Sequence, residues 1–303
     1  MKNSLHWTFT ISLVLAATCW GLGGVMSKSV VAHVPPLTLL VAQLTVSITF
    51  LWAAMVMQKT RLLHRREVFR LGLTGVLNPG LAYTFSLIGL TLTTASMSAL
   101  LWATEPIVIL GLAWLVLRER LTPPLIIVSA IAIIGVALVV SLDANSANSG
   151  SLLGNLLIFA GVCCCAYYTV ISRRQVAGID PLLLVAVQQT FALAWALAIW
   201  PIELLGGGAA GLAAIKPDAW LWAAVSGITY YALAFWFYIT GLKRIPASMA
   251  GMFINLVPIF GIGGATIFLG ERLDAAQWAG AVLILAAVIG VVRVQQRETV
   301  VAT

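Results

Sequence analysis

Thr94 to Leu121 reads TASMSALLWATEPIVILGLAWLVLRERL, and Pro246 to Leu273 reads PASMAGMFINLVPIFGIGGATIFLGERL. The two stretches align at a shift of 152 residues, with eleven identities in 28 positions. Ala-Ser-Met opens both, Pro106-Ile107 falls on Pro258-Ile259, and Glu119-Arg120-Leu121 falls on Glu271-Arg272-Leu273. The same register carries Gly75 onto Gly227, Phe85 onto Phe237 and Gly89-Leu90 onto Gly241-Leu242. A second echo, at a shift of 145, sets Pro36-Leu37 and Gln43 over Pro181-Leu182 and Gln188. Chance does not hold one register for so long, even in an apolar alphabet. The chain reads as a tandem duplication, and a repeat sets the architecture before any local pattern does.

Of the 303 residues, 61% are hydrophobic and 9% charged, against about 25% charged in a soluble chain. Lipid is then the expected solvent. Apolar runs of about 20 residues must be helices, because each backbone group needs a partner within its own span. Short alternating segments of the kind that build barrels are absent. The fold expected is an all-α integral membrane protein. Its ten transmembrane helices fall roughly at 8–28, 36–57, 69–90, 93–117, 123–142, 151–172, 181–203, 217–241, 246–269 and 275–293. Met1 to Gly24 has the outline of a signal peptide, but the apolar run continues past Cys19, so no cleavage is expected.

Charge orients these spans. With the N-terminus cytoplasmic, 14 of the 17 Lys and Arg fall in inside segments and only Lys28, Lys216 and Arg272 fall outside. That imbalance predicts both ends in the cytoplasm; a cytoplasmic (bacterial inner) membrane is the location expected. Each half holds five spans, an odd number, so the halves enter the membrane with opposite orientation. The repeats are expected over 1–145 and 146–303, divided in the polar loop Asp143 to Ser151. Inverted repeats are a recurrent plan for secondary transporters.

Other function classes fit poorly. No GxxxxGK[ST] segment exists, so ATP hydrolysis is not expected. His6, His33 and His64 sit at span ends and form no HExxH, which leaves an intramembrane enzyme without a catalytic set. Cys19, Cys163, Cys164 and Cys165 show no CxxC spacing and read as small apolar helix residues, with no metal and no cofactor. The net charge of +7 reads as loop orientation, not nucleic-acid binding. No long soluble segment is present to make a receptor. The partners expected are a small-molecule substrate and membrane lipid, and one chain suffices as a monomer.

Trp20-Gly21 in the first helix, Pro106 and Pro258 midway in the fourth and ninth, and Glu-Arg-Leu closing both together resemble the drug/metabolite transporter superfamily, in its EamA-type ten-helix members. Within it, the chain resembles bacterial amino-acid and metabolite exporters and the YddG-type exporters of aromatic amino acids. The resemblance implies export of small metabolites, amino acids foremost, with a multidrug or quaternary-ammonium/proton antiporter as the alternative. Arg118 departs from the pattern, which has glycine there, as at Gly270.

Polar groups inside spans are costly in lipid and mark a cavity or a helix contact. Glu105 is the sharpest, mid-span beside Pro106, with Trp102 and Ser98 three and seven residues earlier on one face. Two readings stand for it: a carboxylate that meets a substrate amine or carries a proton, or a buried glutamate bonded to a neighbouring helix. Asn78-Pro79-Gly80 breaks the third span at mid-depth, where its copy reads Tyr230-Tyr231-Ala232. A break at that depth points to a substrate site. Asn255, ahead of Pro258, is a candidate ligand or helix-helix bond. Trp20, Tyr83, Trp102, Tyr167, Tyr168, Tyr230, Tyr231, Trp236 and Tyr238 supply mid-span aromatics; Trp52, Trp195, Trp200, Trp220, Trp222 and Trp278 read as the interfacial belt. The substrate-binding set expected is Trp20, Asn78, Tyr83, Ser98, Trp102, Glu105, Tyr168, Tyr230, Tyr231 and Asn255, from helices 1, 3, 4 and their copies around a central cavity. Pro106, Pro258, Glu119 and Glu271 are expected to be structural, the glutamates capping helix ends.

Overall fold

The computed structural model describes residues 2–31, 33–60, 64–92, 101–102, 104–140, 151–207, 212, 215–269 and 275–301. Among these residues the chain is helical and contains no strand. In order the helices are α1 (Lys2–Val31), α2 (Pro36–Met57), α3 (Arg65–Gly75), α4 (Ala82–Leu92), α5 (Glu105–Leu112), α6 (Pro123–Val140), α7 (Leu152–Gln175), α8 (Pro181–Leu205), α9 (Pro217–Ser226), α10 (Ala234–Leu242), α11 (Ala247–Phe253), α12 (Val257–Leu269) and α13 (Ala275–Val301). A π segment, Val76–Leu81, joins α3 to α4; another, Gly227–Leu233, joins α9 to α10; a third, Ala113–Leu117, extends α5.

Six stretches among the described residues are long and apolar enough to cross a membrane: Trp7–Ser27, Pro36–Met57, Arg66–Gly89, Leu152–Gly178, Pro181–Leu205 and Pro217–Leu242. Glu105–Leu117, Pro123–Gly135, Ala247–Gly261 and Trp278–Val291 are shorter apolar helices. Ile127, Leu115, Leu152 and Val282 lie exposed on the outside. Such an apolar exterior belongs against lipid. The chain is a multi-pass membrane protein.

Helix starts follow local chemistry. Pro36, Pro123, Pro181 and Pro217 open their helices, where the missing N–H removes nothing. Asp180 caps α8, its Oδ1 accepting from Leu182 N at 2.9 Å. Two further caps come from far along the chain. Glu119 accepts from Ala247 N and Ser248 N at 2.9 Å, and from the Ser248 hydroxyl, closing the start of α11. Glu203 accepts from Leu37 N and Thr38 N at 2.8 Å and from the Thr38 hydroxyl, closing the start of α2. Arg173 donates to the carbonyls of Leu242 and Lys243, and Arg174 to that of Val116.

Among the described residues, and apart from sequence neighbours, the extensive helix pairings join the first 140 residues to those after 151. Helix α1 lies on α9, α10 and α12, while α7 lies on α4, α5 and the 76–81 segment. Helix α2 packs on α8 and the 227–233 segment; α8 packs on α3 and the 76–81 segment; α5 meets α11, and α6 meets α13. Gly21 makes one such approach possible: a Cβ there would stand 2.6 Å from Phe260 Cβ and 2.7 Å from Gly261 N. Small residues on α1 and α12 thus let the two helices approach closely. Three tryptophans expected in the belt bond across helices. Trp52 Nε1 donates to Thr190 Oγ1, Trp195 Nε1 to Thr84 Oγ1 and Trp200 Nε1 to Thr38 Oγ1. Each indole N–H finds a hydroxyl on a neighbouring helix, the Trp52 bond at an exposed position and the Trp200 bond in the first turn of α2, an arrangement compatible with an interfacial ring. Trp220, Trp222 and Trp278 are exposed, as a belt requires.

Arg118 ends the 113–117 segment with φ +56° and ψ +33°, a left-handed conformation. Glycine is the usual residue there, since a side chain costs about 1–2 kcal/mol. Arg118→Gly is therefore expected to hold or raise stability, by up to about 1 kcal/mol once glycine's greater unfolded freedom is set against that gain. Thermal unfolding in detergent, with and without the substitution, checks this.

Candidate functional site

The centre of the fold is built where two helices lose their regularity. Asn78 leaves helical geometry, with φ −149° and ψ 123°, and Pro79 follows it without an N–H. This is the break that the sequence placed at Asn78-Pro79-Gly80. Opposite it, Gly227–Leu233 forms a π segment as well, carrying Tyr230 and Tyr231. A π turn displaces carbonyls from the usual ladder. Gln189 Nε2 satisfies one of them, donating to Tyr231 O at 2.9 Å, while Ser47 donates to Gln189 Oε1.

Glu105 opens α5 after a turn in which Thr104 N donates to Leu101 O, and Pro106 sits in the first helical turn. Its side chain is 4% exposed. The Cys165 thiol of α7 lies near its carboxyl. Asn78 Nδ2 reaches the same sulfur at 3.1 Å, which leaves Asn78 Oδ1 buried with no partner. Tyr230 and Tyr238 also lie near the Glu105 carboxyl. The Tyr238 hydroxyl and Trp20 Nε1 are also buried without a partner. Most buried polar atoms are paired, so several orphans about one carboxyl group mark a place where a ligand can complete the bonding.

Aromatic rings wall this centre. Tyr83 lies 5.9 Å from Tyr230, 5.4 Å from Tyr231 and 6.4 Å from Trp102, between ring centroids. Trp20 stands edge-on to Phe235 at 5.4 Å and tilted against Tyr238 at 5.1 Å. The structure thus gathers Trp20, Asn78, Tyr83, Trp102, Glu105, Tyr230 and Tyr231. Other expected residues have partners of their own; Tyr168 packs at 6.0 Å against Phe235, the ring that Trp20 also meets. Tyr168 is buried but donates its hydroxyl to Gln188 Oε1 at 2.8 Å. Asn255 Nδ2 bonds Met252 O in its own stretch. Tyr167 is exposed on the outside. Pro258 lies in the first turn of α12. Ser98 and Glu271 lie outside the described residues.

Two residues were read too lightly from sequence. Cys165 counted only as apolar filler, yet it links Asn78 to Glu105; its place three residues before Tyr168 put it on the inward face of α7. Gln188 was noted only as an echo of Gln43, and both are hubs. Gln43 Nε2 donates to Ser27 Oγ at 2.9 Å and Ser226 Oγ at 2.7 Å. Gln188 Nε2 donates to Thr74 Oγ1 at 2.8 Å and Ser172 Oγ at 3.2 Å. A shift of 145 carries Ser27 onto Ser172 and Gln43 onto Gln188, and a shift of 152 carries Thr74 onto Ser226.

A buried carboxyl, unpaired polar atoms and tyrosines packed edge-on and tilted, inside a multi-pass helical bundle, fit a membrane transporter. The EamA-like transporter family matches residues 8–141 and again 152–293. The chain belongs to that family, within the drug/metabolite transporter superfamily. It is 28% identical over 220 residues to the uncharacterized transporter YyaM of Bacillus subtilis, covering 70% of each chain. An uncharacterized transporter of Archaeoglobus fulgidus is 24% identical over 292 residues, covering 93% of this chain and 98% of the relative. A solved crystal structure shares the fold at a TM-score of 0.76 and 19% identity, over 95% of this chain and 98% of that one.

Proposed function

We propose that the chain is a secondary transporter that carries small amine-bearing metabolites, amino acids among them, across the cytoplasmic membrane by alternating access at Glu105. The observation that carries this reading is the pair of glutamine hubs. Gln43 with Ser27 and Ser226, and Gln188 with Ser172 and Thr74, use matching positions of the two repeats. Gly75 packs on the Gln188 backbone, and Gly227, its counterpart, on that of Gln43. Five spans per half place the two hubs toward opposite membrane faces, in halves of inverted orientation. A chain that can make one set of contacts at either face can exchange their roles, which gives an inward and an outward state.

In this reading the 14-to-3 charge split sets both termini in the cytoplasm. Arg174, donating to the Val116 carbonyl, then ties the halves together at the cytoplasmic end, and that bond must part when the site opens inward. The tyrosine walls favour a flat or aromatic body, in line with the YddG-type resemblance. The test is exchange in liposomes holding the purified protein. Labelled phenylethylamine and phenylalanine are expected to enter saturably, and faster when unlabelled substrate is loaded inside, the mark of a carrier that reorients loaded. Flux that never saturates, or no flux of either compound, overturns the reading.

A further inference from the structure

The transport reading brings a substrate to Glu105, and the groups around that residue narrow its chemistry further. We infer that the site takes a protonated primary or secondary amine on an apolar, ring-sized body, and that it discriminates against both zwitterionic amino acids and quaternary ammonium ions. The inference rests on the transport reading for its site, and on three observations for its selectivity.

First, the open groups include acceptors. Glu105 is buried near Cys165, and Asn78, whose Nδ2 stands 3.1 Å from that sulfur, leaves its Oδ1 buried and unpaired. Acceptors call for N–H donors, and a protonated primary amine has three. A quaternary ammonium has none, and would leave Asn78 Oδ1 as unsatisfied as it is without a ligand. Second, no cation among the described residues stands ready for a substrate carboxylate. Arg173 lies eight residues beyond Cys165 on α7, and its guanidinium is already held by the carbonyls of Leu242 and Lys243. Arg70 lies eight residues before Asn78 and is exposed; Lys28 lies eight beyond Trp20. At 1.5 Å per residue those positions are about 12 Å along their helices from the site. Lys243, five beyond Tyr238, lies past the end of α10. The unpaired donors at the centre, Trp20 Nε1 and the Tyr238 hydroxyl, are neutral. They can hold a hydroxyl or carbonyl, but they leave a carboxylate's charge unbalanced in a dry site. Third, Tyr83, Tyr230 and Tyr231 present ring faces and edges that suit both an apolar ring and an ammonium group.

Equilibrium binding read from tryptophan fluorescence tests this on purified protein in detergent. The ligands are phenylethylamine, phenylalanine and the N,N,N-trimethyl derivative of phenylethylamine. Phenylethylamine is expected to bind on the order of 100-fold tighter than phenylalanine, the penalty of an uncompensated buried carboxylate. It is expected to bind roughly tenfold tighter than the trimethyl derivative, the cost of leaving a buried acceptor unpaired. Asn78→Leu is expected to erase the second preference, a ratio measured within one variant and so independent of its folded yield. Phenylalanine binding as well as the amine, a trimethyl derivative binding as well as the amine, or an unchanged ratio in Asn78→Leu each overturns the inference. Selective amine binding with no exchange in liposomes instead overturns the carrier reading alone. Phenylalanine exchange with no preference for the amine overturns the selectivity and leaves the carrier standing.

Discussion

Gly75→Ala is expected to prevent the protein from reaching a stable fold. A Cβ at Gly75 would fall on the Gln188 carbonyl oxygen, with Gln188 Cα only 2.7 Å away. Those are backbone atoms of α8, so no rotamer change can clear them, and α3 must move away from its partner. That separation would strip Thr74 from the Gln188 side chain, which also holds Ser172. Overpacking costs typically 1–3 kcal/mol where side chains can adjust, and about 3 kcal/mol or more is expected where they cannot. The counterpart, Gly227→Ala, meets Gln43 O at 2.7 Å and Gln43 Cα at 3.1 Å, a milder clash. Gly111→Ala meets nothing within 4 Å. The yield of monodisperse protein and its unfolding temperature in detergent should rank Gly111→Ala nearest to the unsubstituted chain, Gly227→Ala below it and Gly75→Ala last. A stable Gly75→Ala protein would show that α3 and α8 do not meet as closely as the structure has them.

This ranking could not be read from the chain alone, although the duplication placed Gly75 over Gly227. Apolar run lengths and the paired Glu-Arg-Leu motifs carry the helical architecture and the family, because lipid leaves the backbone so few solutions. The break at Asn78 was legible because proline removes a donor wherever it falls. Its mate at Tyr230 was not: a π segment without proline or backbone distortion has no local signature in residue type. The hubs stayed hidden for a different reason. Ser27, Ser172, Thr74 and Ser226 are ordinary small polar residues of membrane helices, and only their convergence on a glutamine from another helix gives them a role. Cys165 was missed likewise, since a thiol reads as apolar until a carboxyl and an amide are found on either side of it.

Glu105→Gln is expected to lower amine uptake by two orders of magnitude or more while leaving the fold intact. Glutamine keeps the shape of the side chain and removes its charge, so the substitution tests electrostatics without opening a cavity. A buried charge pair that loses one member leaves the other uncompensated, a cost of about 3–5 kcal/mol that would fall on the bound ammonium; at 1.4 kcal/mol per tenfold that is more than 100-fold in binding. Glu119 gives the contrast, because it is the other glutamate of the same repeat motif stretch. Both its oxygens are already occupied by Ala247 N, Ser248 N and the Ser248 hydroxyl, so it has no capacity left for a substrate. Glu119→Gln is the matched control: its effect should appear as about 1 kcal/mol of lost helix capping, with the affinity for amine preserved. Uptake by liposomes at matched protein content separates the two. Loss of amine uptake in Glu105→Gln with retention in Glu119→Gln assigns the substrate charge to the group at mid-depth. Equal uptake by Glu105→Gln and the unsubstituted chain would return Glu105 to the other reading of the sequence, a buried glutamate that serves only to join α5 to α7 through Cys165.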